Sequence, residues 1–423
     1  MPDQKTIVCF GAGPIFKGGM SNYNTSLAKA LFAAKAKVHI VSWIQQYPGI
    51  VPREFRDMVS KQDFLEDTEI ACHYLTNYNQ PNTWSQTASF IATLKPDIVV
   101  IQWSIALQGL PLSFIIKKLK SLYKCEVIMD LHFVIQKEQS FIDKYLSKKT
   151  LGLADSYIVH ATKTFDELKE LLPSQEFILT HNGQRDLGQK TKPVIKLFHP
   201  IYDLYKEDPR FDVEAFKEKY GLKKNVFLFF GFIRKYKGLH NVILAFNELA
   251  KTRNDVSLLI CGESFWNTLD SGKTLTKIKK TIFSVLKKIL LRSNDDEGNY
   301  APLTMINELG LGDLVVVFNE FIPNEDVHKY FQVSDCVVLY YLTATPSGIE
   351  SLSYNFDLPI LATKVGHFPE TIVDGYNGYL AEENVDSMAM TMKRFLEHPI
   401  PKSNVHSYKS NLSWAEYAQA ILK

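Results

Sequence analysis

The chain has 423 residues, 46% hydrophobic and 22% charged, with 48 basic against 46 acidic side chains for a net charge of +2. That length exceeds one hydrophobic core and predicts two or three domains, and the charge balance excludes nucleic-acid binding driven by bulk electrostatics. The cysteines lack metal-ligand spacing, the amino terminus lacks a basic segment followed by an apolar leader, and no apolar run approaches the ~20 residues of a bilayer span.

The chain opens with a buried strand at Thr6–Phe10, then Gly11, Gly13, Gly18 and Gly19. Ser21 or Asn22 is positioned to cap a helix that runs to about Lys35, and Lys37–Trp43 reads as a second strand. This is a Rossmann-type β-loop-α-β unit, but its glycine spacing departs from the dinucleotide fingerprint and no acid ends the second strand to hold a ribose. An NAD site is therefore excluded, while the glycine loop can still receive a phosphate or an acceptor. Short apolar strands at Asp97–Gln102, Glu126–Asp130, Ser156–His160 and Glu176–Leu179 follow, with helical stretches at Pro111–Leu122 and Thr162–Leu172 among them. Such alternation predicts a doubly wound parallel sheet. The proline-punctuated segment Thr191–Pro209 reads as a linker.

The pattern then restarts with strands at Asn225–Phe230, Ser257–Cys261, Leu314–Phe318, Cys336–Tyr340 and Pro359–Thr363. The expected organisation is α/β with two Rossmann-like domains facing a cleft, 1–198 and 199–405, and a final helix in 406–423 returning to the first.

The centre of the sequence is NVFLFFGFIRKYKG, Asn225–Gly238. A strand buried on both faces runs into a loop carrying Gly231, Arg234 and Lys237, and Leu239–Ala250 has helical apolar spacing. The basic pair therefore lies at the carboxyl end of a parallel strand and before a helix start, where open α/β sheets place ligands. An arginine fork, a lysine point charge and free helix amides describe a diphosphate site. Solvated loop charges are the competing reading, and the glycines and buried strand weigh against it.

Ser271–Asn294 has an apolar stripe through Leu275, Ile278, Ile282 and Ile289 opposite Lys273, Lys277, Lys280, Lys287 and Lys288. Two readings stand: a helix lying on an anionic membrane through 273–292, or one packed on the domain with its lysines in water.

FGFIRKYKGLHNVILAF, VSLLICGES, VVVFNEFIPNEDVHKYFQVSDCVVLYY and PILATKVGHFPETIVDGYNGYL resemble, in that order, the second domain of family 4 retaining glycosyltransferases. GGMSNYNTSLAKAL resembles their first glycine loop, VIMDLHF their central loop with a histidine, and LFHPIYDLY their interdomain region. The resemblance implies a GT-B fold. It also implies transfer of a sugar from a UDP- or GDP-linked donor to a glycan or lipid-linked acceptor, without a metal or other cofactor, in surface polysaccharide synthesis. The cysteine usage and the amino terminus read as those of a cytoplasmic protein, either free or in contact with the inner face of the membrane. Arg234 and Lys237 match the diphosphate-neutralising residues, and His132 falls where relatives place a histidine near the donor sugar, or is a histidine bonded to backbone at a strand end. Gly18, Gly19, Gly231, Phe321, Ile322 and Glu370 match stretches that line the donor site, Glu370 having loop capping as its alternative.

One departure is plain. Where the broader family has two glutamates, this chain has Ala344 and Leu352. The segment TATPSGI instead resembles a branch with A-T-x-S-G-[VI], in which Thr345, Ser347, Gly348 and Ile349 would bind sugar hydroxyls and phosphate at a helix start. Glu350 is either a shifted ribose ligand or a surface residue. The missing carboxylates leave a non-catalytic binding subunit as the alternative function, and a sugar-nucleotide epimerase of the same fold as a third.

Overall fold

The computed structural model describes residues 4–48, 55–134, 141–188, 190–264 and 300–423. The lysine-rich stretch Ser271–Asn294 lies outside them. In the first domain the strands are β1 (Thr6–Phe10), β2 (Lys37–Gln45), β3 (Ala71–Asn77), β4 (Ile98–Trp103), β5 (Glu126–Leu131), β6 (Ser156–Val159), β7 (Phe177–Thr180) and β8 (Lys192–Lys196). Its helices are α1 (Gly19–Ala33), α2 (Pro81–Thr93), α3 (Gly109–Leu122), α4 (Phe141–Leu151) and α5 (Thr162–Leu171).

The second domain has strands β9 (Asn225–Phe230), β10 (Val256–Cys261), β11 (Val315–Phe318), β12 (Cys336–Leu339), β13 (Ile360–Thr363) and β14 (Gly378–Ala381). Its described helices are α6 (Val213–Tyr220), α7 (Leu239–Ala250), α8 (Thr304–Glu308), α9 (Val327–Gln332), α10 (Gly348–Asn355), α11 (Phe368–Thr371), α12 (Val385–Glu397) and α13 (Lys402–Lys409). A last helix, α14 (Trp414–Leu422), follows.

The strands form an eight-stranded sheet in the order β3-β2-β1-β4-β5-β6-β8-β7 and a six-stranded sheet in the order β11-β10-β9-β12-β13-β14. Their pairings are parallel. Central strands such as β4 and β10 are buried along their whole length, as a sheet covered by helices on both faces requires. In each sheet the order reverses beside one strand, β1 between β2 and β4, and β9 between β10 and β12. Those reversal points open a crevice at the carboxyl ends. The glycine loop follows β1 and the Arg234–Lys237 loop follows β9.

Two expectations are corrected. The proposed linker Thr191–Pro209 contains β8, which pairs with β6 on one side and β7 on the other. Pro193 is accommodated because it sits opposite Ile178 of β7, while pairing to β6 begins one residue later at Val194. Neither Ser21 nor Asn22 caps α1, which begins after Gly18 without a side-chain cap. The Ser21 hydroxyl donates instead to the Gly13 carbonyl, and the Asn22 amide to the Tyr205 hydroxyl.

The last helix lies on the first domain against α1. The Tyr417 hydroxyl donates to Asp130 and the Trp414 indole N–H to the Ile201 carbonyl. Arg185 closes its end, donating to the carbonyls of Ala420 at 2.8 Å and Ile421 at 2.7 Å while held by Glu126.

Candidate active site

Between the carboxyl ends of the two sheets lies a cavity of about 300 Å³. The first domain supplies Gly18, Gly19 and Asn22 from the start of α1, and the second supplies Gly231, Lys237, Phe321 and Ile322. Thr345, Ser347, Gly348 and Ile349 at the start of α10 complete one wall. Ten residues expected from the sequence are thus brought around one space.

Local geometry explains why. Gly231 ends β9 with φ +95°, a conformation that suits glycine, and a side chain there would begin 2.9 Å from the Lys237 ammonium. The chain then makes one tight turn at Lys235–Lys237, which folds the Lys237 side chain back over Gly231. Lys237 is 8% exposed, and burial together with the Arg234 charge pushes its ammonium down from 10.5 to about 7. Ser347 begins α10, its hydroxyl accepting from the Ile349 N–H, and the first turns of α1 and α10 both open on the cavity. Two helix starts and a buried lysine give the space the electrostatics of an anion site.

Arg234 is not in the cavity wall. Its guanidinium lies 5.5 Å from the Tyr236 ring, and its charge opposes the burial that raises Tyr47 of the first domain to about 12. It therefore faces the opposite domain at the cleft.

Two expected residues lie elsewhere. Glu370 accepts from the Thr162 N–H and hydroxyl and from Lys196, capping the start of α5 and tying the second domain to the first. His132 follows β5, with its Nε2 2.8 Å from Gln102 Oε1. Burial pushes it down to about 4, against the pull of Asp130 and with His160 adding to the fall, so its ring is neutral at pH 7. It belongs to a buried cluster in which the Asp130 carboxylate accepts from Tyr23, Tyr417 and His160.

Asp130, His132 and His160 place ligand atoms within 4.8 Å of one another. The 2.8 Å contact between Asp130 Oδ1 and His160 Nε2 is nevertheless a hydrogen bond, shorter than the ~3.3 Å between two ligands of one tetrahedral zinc. His160 Nδ1 also faces an oxygen, the Leu197 carbonyl at 3.2 Å.

Glu350 is not a surface residue. It is buried and bonded to His367 Nε2, outside the main cavity. Of the positions that lost glutamates, Ala344 is buried and Leu352 turns its side chain toward the cavity.

Sequence reasoning missed Tyr202 and Tyr205, both in the wall. The Tyr202 hydroxyl donates to the Gly19 carbonyl at 2.8 Å, and its ring packs where a Gly348 side chain would begin. Tyr205 accepts from Asn22 of the first domain and donates to Asn324 of the second. The segment LFHPIYDLY signalled a domain junction, but not that its tyrosines reach back into the cleft. Glu263 and Glu320, the acidic groups of the wall, were also missed.

Two parallel-sheet Rossmann-like domains with a cavity between their carboxyl ends define a GT-B architecture. Residues 211–420, the greater part of the second domain, match the family model for glycosyl transferases group 1. Among solved structures, a glycosyltransferase from Rickettsia africae is 14% identical with TM-score 0.62, covering 99% of this chain and 96% of its own. Anabaena HepE in complex with UDP-glucose is 16% identical with TM-score 0.59, covering 98% and 94%. These likenesses establish the fold. Spore coat protein SA of Bacillus subtilis is 23% identical over 248 residues, 55% of this chain and 58% of that relative.

Proposed function

We propose that this protein is a retaining glycosyltransferase that moves a hexosyl group from a UDP- or GDP-linked donor to a glycan or lipid-linked acceptor in surface polysaccharide synthesis. The observation that carries the reading is the Lys237 ammonium, buried over Gly231 between the starts of α1 and α10. A buried lysine depressed by desolvation is stabilised when a diphosphate enters beside it. The HepE complex with UDP-glucose, in a protein of the same fold, supports the donor class.

In the reaction, the bond between the sugar anomeric carbon and the diphosphate oxygen breaks as the acceptor oxygen bonds to that carbon from the same face. The acceptor proton passes to the departing phosphate. Negative charge grows on the leaving group; Lys237 and the helix amides line the space to receive it, and the Arg234 charge, close enough at the cleft to act on Lys237, adds to theirs.

The absence of both family glutamates, with Leu352 turned to the cavity, favours one second reading: a subunit that binds nucleotide or glycan without transfer. Incubation with UDP- and GDP-sugars and an acceptor extract separates the two. Nucleoside diphosphate release that falls more than tenfold in Arg234→Ala supports transfer. Binding of a donor without its turnover supports the subunit.

A further inference from the structure

We propose that the outer faces of α3 and α4 in the first domain form a docking surface for an anionic lipid bilayer. Each helix is amphipathic in an unusual sense, because the face turned away from the core is also apolar at its beginning. On α3, Leu110 and Phe114 are 43% and 44% exposed, one turn apart. On α4, Phe141, Ile142 and Tyr145 are 86%, 50% and 56% exposed. None of these is surplus from the core, which takes Leu112, Ile115, Ile116 and Leu119 from the other side of α3 and Leu151 from α4.

The two stripes continue alike. Leu110 and Phe114 lead along their face to Lys117 and Lys118, and Phe141 and Tyr145 lead to Lys148 and Lys149. The Lys149 ammonium stands 5.7 Å from the Tyr145 ring, which fixes the lysine end of the stripe beside the aromatic end. The helices touch. The Thr150 hydroxyl donates to the Gly109 carbonyl, and a Cβ on Gly109 would come 3.3 Å from that of Leu146. The stripes therefore lie on one side of the domain.

Charge identifies the occupant. In a chain of net charge +2, α3 carries Lys117 and Lys118 with no acid, its Lys120 being paired with Asp155, and α4 carries Lys144, Lys148 and Lys149 against Asp143. Bulky apolar side chains with lysines a turn or two behind them match a surface of acyl chains under anionic headgroups. α3 follows the carboxyl end of β4, the edge that faces the cleft, and α4 packs beside it. A bilayer held there would lie at the cleft mouth.

This docking stands apart from the transfer reading and from the stretch 273–292, and the test separates all three. The full chain is sedimented with phosphatidylcholine vesicles and with vesicles containing phosphatidylglycerol, at low and high salt. Binding is expected only to the anionic vesicles, weakened by salt. The triple change Phe114→Ser, Phe141→Ser and Tyr145→Ser should cut the bound fraction, and so should Lys117→Gln, Lys118→Gln, Lys148→Gln and Lys149→Gln together, each roughly tenfold. Thermal unfolding should be unchanged in both, since the side chains are exposed. Arg234→Ala should bind vesicles as the wild type does. Wild type that stays in the supernatant overturns the proposal. So do variants that sediment like wild type, with binding lost instead on Lys277→Gln, Lys280→Gln, Lys287→Gln and Lys288→Gln. A lipid-free dimer that the triple change dissociates would make the patch an interface between copies and equally overturn it.

Discussion

The Lys237 ammonium lies over Gly231, 2.9 Å from the point where a side chain on that glycine would begin. The backbone of Gly231 is also in the left-handed half of conformational space, at φ +95°. Gly231→Ala therefore strains the strand end and displaces the lysine together. A cost of about 1–3 kcal/mol is expected, with loss of nucleoside diphosphate binding. Denaturant unfolding and calorimetric titration read the two effects separately, and retention of affinity would show that the lysine position is not used.

The same lysine predicts a pH dependence. Its ammonium is pushed down to about 7 by burial and by Arg234, from 10.5. Below pH 7 it is already charged and a diphosphate binds without proton exchange. Above pH 7 binding must take up a proton, so affinity falls as pH rises, by up to about tenfold per unit. Titration at pH 8 in buffers of different ionisation enthalpy should show proton uptake in wild type and none in Lys237→Gln. The ligand-free protein has the opposite trend. Its unfolded state binds more protons than the folded state between about 7 and 10.5, so this group makes stability rise with pH across that window.

Asp130 gives a second, acid-side prediction. Burial works against its carboxylate, and the charge and hydrogen bond of His160 outweigh it, so it is held below the usual range. A depressed carboxylate contributes stability above about pH 4, its unfolded value, and that contribution is lost as pH falls through the folded value. Asp130→Asn should lower stability by about 3 kcal/mol at pH 7 and flatten the acid limb of a stability–pH curve. An unaltered acid limb would assign that limb to other carboxylates.

Arg185 is the test of how the last helix is held. Its side chain is buried, paired with Glu126, and donates to the carbonyls of Gly183, Ala420 and Ile421. Removing it strands a buried carboxylate and uncaps α14. Arg185→Ala should cost about 3–5 kcal/mol in urea unfolding, and Arg185→Lys should recover only part, because one ammonium cannot reproduce the fork.

How much of this was legible follows from where the information lies. Strands buried on both faces, such as Asn225–Phe230, are apolar runs that any reading finds. The edge strand β3 is half-exposed along most of its length and carries His73, Thr76 and Asn77, so it has no such run. β8 was hidden by Pro193, tolerated only because its position is paired on one side. In the site, glycines and basic loop residues carry their geometry in their identity. Tyr202 and Tyr205 do not, because their role depends on a chain that doubles back into the cleft. Glu350 and His132 show the same limit: their spacing was visible, while the partners that bury them, His367 and Gln102, come from other elements.

The central claim is that the space between α1, α10 and Lys237 receives a nucleoside diphosphate. Thermal unfolding of the wild type with UDP, GDP, ADP and CDP tests it, with Lys237→Ala and Arg234→Ala as controls. At about one hundred times its dissociation constant a ligand stabilises by about 2.7 kcal/mol, enough to move the midpoint visibly. The account predicts that one nucleotide raises the wild-type midpoint and leaves both variants unmoved. No shift with any of them, or equal shifts in the variants, would contradict it.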